Sequence, residues 1–125
     1  MTERKFVVLD DLFRMPSTSH AVVCGDDVWV QGLLGTIGDG IELAPGGVGA
    51  ETAQACSNVG RVLEACGARL DDIVRLDVLL ASTSDFLECD AALDEHLPVR
   101  PARTVAYASA LPIGARVEIT ARARL

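Results

Sequence analysis

The chain has 125 residues and a formal net charge of −7, with hydrophobic residues at 50% and aromatic residues at only 4%. This length suits a single domain, expected over residues 1–125, with a core of aliphatic side chains. The acidic balance disfavours nucleic-acid and anionic-membrane partners, because both favour proteins with a basic face.

The N-terminus reads Met1-Thr2-Glu3-Arg4-Lys5 and no long apolar run follows it. We therefore predict neither a signal peptide nor a membrane span, and we expect a cytoplasmic protein. The four cysteines form no CxxC pair, and the two histidines lie far apart in the sequence. No metal-ligand spacing is present, so we predict no metal site.

The N-terminal half begins with a strand at Lys5 to Leu9. Residues 20–24 and 28–34 are rich in β-branched residues and enclose the turn Gly25-Asp26-Asp27, which predicts a hairpin. His20 in this hairpin is expected to be structural or on the surface rather than a general base. The glycines from Gly35 to Gly47 indicate a loop.

The first helix is predicted from Gly49 to Cys66. Its apolar residues recur at helical spacing, and Gly67 follows as a left-handed cap. The stripe consists of Ala55, Val59, Val62, Leu63 and Cys66.

A strand follows at residues 73–81, where Val74, Leu76, Val78 and Leu80 are predicted to share one buried face. A second helix covers residues 85–96, and two prolines make 97–101 a loop. Strands at 104–108 and 116–125 complete the chain.

The element order is therefore β-ββ-α-β-α-ββ, which favours an α+β fold with two helices on one mostly antiparallel sheet. The other face of that sheet would be bare. Burial against further copies of the same chain is the simplest way to cover it, so we predict oligomerisation.

Two charged residues near the C-terminus suggest chemistry. Arg103 lies where the proline-rich loop enters a strand, and its planar guanidinium matches a carboxylate with two parallel hydrogen bonds. Glu118 falls on the polar side of the last strand and is able to hold a water or move a proton. The alternatives are an inter-subunit ion pair for Arg103, with Glu118 as one partner, and a solvated carboxylate for Glu118.

Several short segments, taken in order, resemble the RidA/YjgF family of reactive-intermediate imine/enamine deaminases. The segments extend from Ser19 to the C-terminus, and the 15-residue interval between Arg103 and Glu118 is similar as well. The segments with the strongest resemblance are Val28-Trp29-Val30-Gln31-Gly32, Gln54-Ala55-Cys56-Ser57-Asn58-Val59, Leu70-Asp71-Asp72-Ile73-Val74-Arg75, Asp85-Phe86, Pro101-Ala102-Arg103, Leu111-Pro112 and Val117-Glu118-Ile119.

The resemblance implies a chorismate-mutase-like subunit in a homotrimer, with active sites in the clefts between subunits. It implies cofactor-free hydrolysis of small carboxylated enamines or imines, such as 2-aminoacrylate, to a 2-keto acid and ammonia. By this resemblance Arg103 binds the substrate carboxylate, Glu118 handles water and protons, and Gly32 and Val105 supply backbone contacts.

The chain also departs from the family pattern. Thr18 stands where a tyrosine is common, Gln31 where a serine is common, and Val105 where a cysteine is common. Gln31 either donates to substrate or pairs with a neighbouring strand, and Tyr107 is either a pocket hydroxyl or a packed interface aromatic. These changes suggest a non-standard substrate.

Two other functions are weighed against the deaminase. The altered pocket leaves open a non-catalytic module that binds small carboxylates or a partner protein. The endoribonuclease role sometimes attached to the family is disfavoured by the net charge of −7.

Overall fold

The computed structural model describes residues 3–125, which form six strands and two α-helices. In chain order the elements are β1 (Arg4–Val7), β2 (Ala21–Cys24), β3 (Asp27–Leu33), α1 (Val48–Ala65), β4 (Ile73–Leu80), α2 (Phe86–His96), β5 (Ala102–Tyr107) and β6 (Val117–Arg124).

All six strands belong to one sheet with the order β1-β2-β3-β6-β4-β5. The β4–β5 pair is parallel, because α2 carries the chain across between them, and the other neighbouring pairs are antiparallel. The expected architecture, two helices on a mixed and mostly antiparallel sheet, is therefore confirmed. Each predicted element is present, with boundaries that differ by one or two residues.

Gly25 and Gly67 lie just beyond the ends of β2 and α1, where the sequence predicts a turn and a helix cap. Gly25 has φ 60° in the two-residue turn that joins β2 to β3, and Gly67 has φ 84° just after α1. Both values lie in the left-handed region, where a side chain would be strained. Short turns of this kind fix the register of the strands that they connect.

The core lies between α1 and the sheet face that α1 covers. Ala55, Val59, Val62 and Leu63 are almost completely buried, whereas Cys66 at the end of the predicted stripe is only half-buried. On the sheet side the buried residues alternate with exposed ones along β6, so Val117, Ile119, Ala121 and Ala123 all face the helices.

One predicted core position is wrong. Val74 was expected on the buried face of β4, but its side chain is 48% exposed and Ile73 is buried instead. The pairing of β4 with β6 shifts register between Ile73 and Arg75. Such a shift inserts one residue into the alternation, which turns Val74 outward and restores the pattern from Leu76 onward.

The sheet face opposite the helices carries a row of uncovered side chains. Phe6, Val22, Trp29 and Arg122 are register partners on four successive strands, and Phe6 and Trp29 are well exposed. The Arg122 guanidinium lies over the Trp29 ring, with Cζ 4.1 Å from its centroid. We call this row the open face.

No helix within residues 3–125 is long and apolar enough to cross a bilayer.

Asn58 of α1 holds the loop that leaves β3. Its buried side-chain amide donates to the carbonyls of Leu34 and Thr36 at 2.9 and 3.0 Å, and its oxygen accepts from Gln54 Nε2 at 3.0 Å. Because those carbonyls are turned toward the protein interior, an unpaired one would lose its hydrogen bond without regaining water. Asn58 thus supplies partners that this part of the loop otherwise lacks.

We expect Asn58→Ala to lower the free energy of unfolding by roughly 2–4 kcal/mol, because two buried carbonyls lose their donor. Gln54→Ala is the matched control, since it removes one hydrogen bond from the same network and leaves both carbonyls paired. Its effect should be about 1 kcal/mol. Urea unfolding followed by circular dichroism measures both. Equal losses in the two variants would contradict the role given to Asn58.

Candidate active site

Glu118 lies where strand alternation predicts it, on the side of β6 that faces away from the helices. The neighbouring strand approaches it closely at Gly32, and a Cβ at that position would overlap Glu118 Oε2. The β3–β6 pairing also changes register between Val30 and Leu33, around this glycine. Glycine is therefore required at residue 32 for the carboxylate to occupy its present position.

The Glu118 carboxylate borders a cavity of about 160 Å³. Three of the predicted substrate-binding residues, Thr18, Gln31 and Gly32, lie on its wall. The rest of the wall is mainly apolar, and includes Leu12, Phe13, Met15, Leu34, Pro112 and Ile113. Arg14 and Thr36 complete the polar part of the wall. A cavity that combines one carboxylate, one guanidinium, a few neutral polar groups and apolar walls suits a small organic ligand.

Burial raises the pKa of Glu118 above the ordinary value for a glutamate. The carboxylate is half-buried, and no hydrogen bond to its side chain occurs among residues 3–125. A carboxyl group with a raised pKa and open hydrogen-bonding positions is able to orient a water and to exchange protons with a ligand.

Ile113 was not anticipated from the sequence as part of the site. It lies in a short 3₁₀ turn, Pro112–Gly114, with φ 53° and ψ 24°. A β-branched residue in the left-handed region is strained, and such strain often occurs at functional sites. The Pro-Ile-Gly sequence marks a turn but carries no signal that the middle residue would adopt this conformation.

Arg103 lies on the edge strand β5, in register with buried Leu76 of β4, and its side chain points toward α2. Its Nη1 donates to the Asp90 carboxylate, and its Cζ lies 5.8 Å from the centroid of the Phe86 ring. The guanidinium borders an open cavity of about 660 Å³ between α2 and β5. Arg103 therefore does form an ion pair, as the alternative interpretation predicts. The pair lies within one chain, and its partner is Asp90 rather than Glu118.

Arg103 and Glu118 do not meet within one chain. Glu118 is the register partner of Leu79, which faces away from the helices, whereas Arg103 is the partner of Leu76, which faces toward them. The two charges therefore lie on opposite faces of the sheet and border different cavities. A ligand that contacts both must reach across two copies of the chain.

The two remaining predicted positions lie on β5 beyond Arg103. Val105 is half-buried and packs against the main core, so its side chain turns inward. Tyr107 is 47% exposed. Neither borders the Glu118 cavity described above. Because β5 is an edge strand, the outer backbone groups at both positions remain available to another chain.

Arg116 holds the start of β6 and was not anticipated from the sequence. Its backbone N–H donates to Glu51 Oε1 at 2.9 Å, and its guanidinium binds both oxygens of buried Asp85 at 3.2 Å. These contacts tie the strand to α1 and to the turn before α2, two residues ahead of Glu118. Arg116 therefore helps to fix the position of Glu118.

His20 is completely buried and both of its ring nitrogens are engaged. Nδ1 accepts from the backbone N–H of Leu9 at 3.0 Å, so Nε2 carries the proton that faces the Phe13 carbonyl at 3.1 Å. These contacts hold the segment between β1 and β2 against the sheet. The ring has a structural role, in agreement with the interpretation preferred from the sequence.

Comparison with known proteins identifies relatives over most of the chain. A family model described as Endoribonuclease L-PSP matches residues 15–125. A Bos taurus protein named 2-iminobutanoate/2-iminopropanoate deaminase is 37% identical over 104 residues, which cover 82% of this chain and 76% of the relative. The Homo sapiens protein of the same name is 34% identical over 104 residues, with the same two coverages of 82% and 76%.

Solved structures agree with these matches. The crystal structure of RidA from the Antarctic bacterium Psychrobacter sp. aligns with a TM-score of 0.89 and 30% identity, covering 97% of this chain and 99% of that one. E. coli TdcF, solved with bound serine, has a TM-score of 0.84 at 22% identity and is similar in fold. The family match over residues 15–125 and these relatives together show that the chain belongs to the RidA/YjgF family.

Proposed function

We propose that this protein is a hydrolytic deaminase of small carboxylated imines and enamines, releasing a 2-keto acid and ammonia. The observation that carries the proposal is the Glu118 carboxylate, whose pKa is raised by burial, against Gly32 in a small cavity. The names of the relatives that are 34–37% identical, 2-iminobutanoate/2-iminopropanoate deaminases, support the same reaction.

The reaction needs three things from the protein. Arg103 binds the substrate carboxylate, and Glu118 holds a water over the imine carbon. An enamine first takes a proton on its terminal carbon and becomes the imine. Water then adds to the imine carbon, and Glu118 passes the two water protons in turn to the nitrogen. The C–N bond breaks as the C=O bond forms, which leaves the 2-keto acid and ammonia. Orientation of this kind supplies up to roughly 7–11 kcal/mol in favourable systems, and general acid–base assistance contributes about 10²–10⁴-fold.

The proposed chemistry requires no cofactor. An imine carbon next to a carboxylate is already electrophilic once its nitrogen is protonated, so the protein has only to bind, orient and transfer protons. The cavity wall beside Glu118 carries the polar side chains of Arg14, Thr18, Gln31 and Thr36, and among these Thr18 and Gln31 are the proposed substrate contacts. The apolar remainder of the wall favours an imine with an apolar side chain.

The arrangement of charges leads us to propose a chorismate-mutase-like homotrimer with shared sites. Because Arg103 and Glu118 face opposite sides of one sheet, the edge strand β5 of one protomer must lie beside the Glu118 cavity of the next. The open face, with exposed Phe6 and Trp29, would be buried in the same assembly. Tyr107 and the outer backbone of Val105 would then lie at this junction.

Two observations support a second candidate, a module that binds small carboxylates without turnover. Arg103 is already paired with Asp90, and the polar groups at Thr18 and Gln31 depart from the family pattern. A third candidate, RNA cleavage, is disfavoured because a chain of net charge −7 repels a polyanion. We therefore propose no nucleic-acid partner.

The first test is a coupled assay. An amino-acid lyase releases 2-aminoacrylate in the presence of the protein, and the rate of pyruvate formation is measured. We expect wild type to accelerate it, and Arg103→Ala to lose roughly 30- to 1,000-fold in kcat/KM because a charge-assisted bidentate contact is removed. Arg69→Ala is the control, since it removes an exposed arginine whose side chain, within residues 3–125, forms an ion pair with Asp71 alone. Calorimetric binding of pyruvate without any turnover by wild type would favour the binding module instead.

A second test addresses the shared site. Arg103→Ala and Glu118→Ala should each be inactive alone, but co-expression or joint refolding should restore activity, because some clefts then receive both intact residues. Random 1:1 mixing in a cyclic oligomer leaves about a quarter of the clefts intact. Absence of any recovery in verified mixed oligomers would mean that Arg103 and Glu118 do not share a cleft between two protomers.

A third test uses the raised pKa of Glu118. The folded wild type keeps this proton at pH values where the unfolded chain, with an ordinary glutamate pKa of about 4.3, has released it. The stability of wild type relative to Glu118→Gln should therefore fall as pH rises through this window. Urea unfolding of both proteins at about pH 4 and pH 7 measures the difference. A pH-independent difference would show that the carboxyl group titrates normally.

A further inference from the structure

Arg103 is held in one orientation by two residues of α2. Nη1 donates to Oδ1 of Asp90, and the ring of Phe86 lies beneath the guanidinium. Both contacts come from the same face of the helix, since residues four apart are neighbours on its surface. The arginine side chain is 31% exposed, so it is neither buried in dry packing nor free in solvent.

The contact with Asp90 occupies only part of the guanidinium. Among residues 3–125, neither Nε nor Nη2 of Arg103 makes a hydrogen bond. These two atoms form an edge with two parallel N–H groups, the geometry that a carboxylate accepts from an arginine. That edge is available while Asp90 remains bound at Nη1.

We propose that Asp90 is a positioning residue for Arg103. It anchors the guanidinium through Nη1 and so orients the Nε–Nη2 edge for the carboxylate of the ligand. The proposal rests on the proposed function for the identity of that ligand, but the orienting contact itself belongs to this chain. A guanidinium fixed in advance loses less rotational freedom on binding than a mobile one.

The opposite role for Asp90, as a competitor of the ligand, fits the geometry less well. A competing carboxylate would occupy the bidentate edge, whereas Asp90 accepts only from Nη1 through one oxygen. The position of the segment that carries Arg103 does not depend on Asp90 either. Leu97 and Val99 pack against the main core just before β5 and hold this segment in place.

The charge of Asp90 has a second effect. It offsets the positive charge of the guanidinium without blocking the edge, because one carboxylate balances one guanidinium. An anion approaching the edge therefore meets a directional hydrogen-bond donor rather than a strong positive field. A directional donor favours monocarboxylates, which place their one carboxylate on the Nε–Nη2 edge. It gives no advantage to dicarboxylates, which a strong positive field would attract by their extra charge.

The test compares Asp90→Ala and Asp90→Asn in the 2-aminoacrylate assay, with Glu95→Ala and Glu95→Gln as controls. Glu95 lies on the same helix, is exposed and does not contact Arg103. We expect Asp90→Ala to raise KM roughly three- to tenfold, with kcat nearly unchanged, because orientation is lost before binding. Asp90→Asn keeps an oxygen acceptor for Nη1 and should restore KM to within about twofold of wild type.

Direct binding separates this proposal from the proposed function. Calorimetry with pyruvate, and with oxaloacetate as the dicarboxylate, should show weaker binding of both by Asp90→Ala. Asp90→Asn should bind oxaloacetate more tightly than wild type does. An unchanged KM and pyruvate affinity in Asp90→Ala would overturn the positioning role, and so would an Asn variant as impaired as the Ala variant. A wild type that binds pyruvate but never accelerates deamination would overturn the proposed function. The pyruvate affinities of the Asp90 variants would then still decide whether Asp90 positions Arg103.

Discussion

The two-residue period of β6 is the constraint on which the rest of the molecule depends. This strand lies between β3 and β4 inside the sheet, so every second side chain has to enter the core. The intervening side chains are directed to the other face, and Glu118 is one of them. A slip of one residue would bury that carboxylate under α1 and expose the core. The hydrophobic pattern thus fixes the position of the acid as firmly as any contact that the acid makes itself.

Edge and centre of the sheet contribute different groups to the candidate chemistry. The central strand provides an acid whose environment is set by its neighbours, above all by the missing side chain of Gly32. The edge strand provides a cation whose environment is set by a helix, through Asp90 and Phe86. Under the proposed function, their separation to opposite faces means that each subunit carries two half-sites. Association would then create the complete site, which links oligomerisation to activity without any conformational change.

The sequence predicts more of the fold than of the site. The elements follow from periodicity and from turn glycines such as Gly25 and Gly67, because these signals are local. Val74 was misplaced, because a register shift depends on the partner strand and leaves no mark in the strand itself. Gly32, Gln31 and Thr18 were found through the family resemblance, whereas Glu118 was first indicated by its charge on the polar side of β6. The structure brings these four together at one cavity. Asp90, Ile113 and Arg116 were missed because a lone Asp, Ile or Arg has no distinctive spacing, and their relevance arises only from tertiary contacts.

The single tryptophan of the chain, Trp29, lies on the open face, so its fluorescence depends on the surroundings of that face. Trp29 is 48% exposed and lies against Arg122 rather than in the core, so its emission is governed by the water and the cation at that face. In the proposed assembly another protomer would displace this water, which would move the fluorescence spectrum toward shorter wavelengths while the core is unaffected. Trp29 would therefore report the proposed subunit association separately from the folding of the interior.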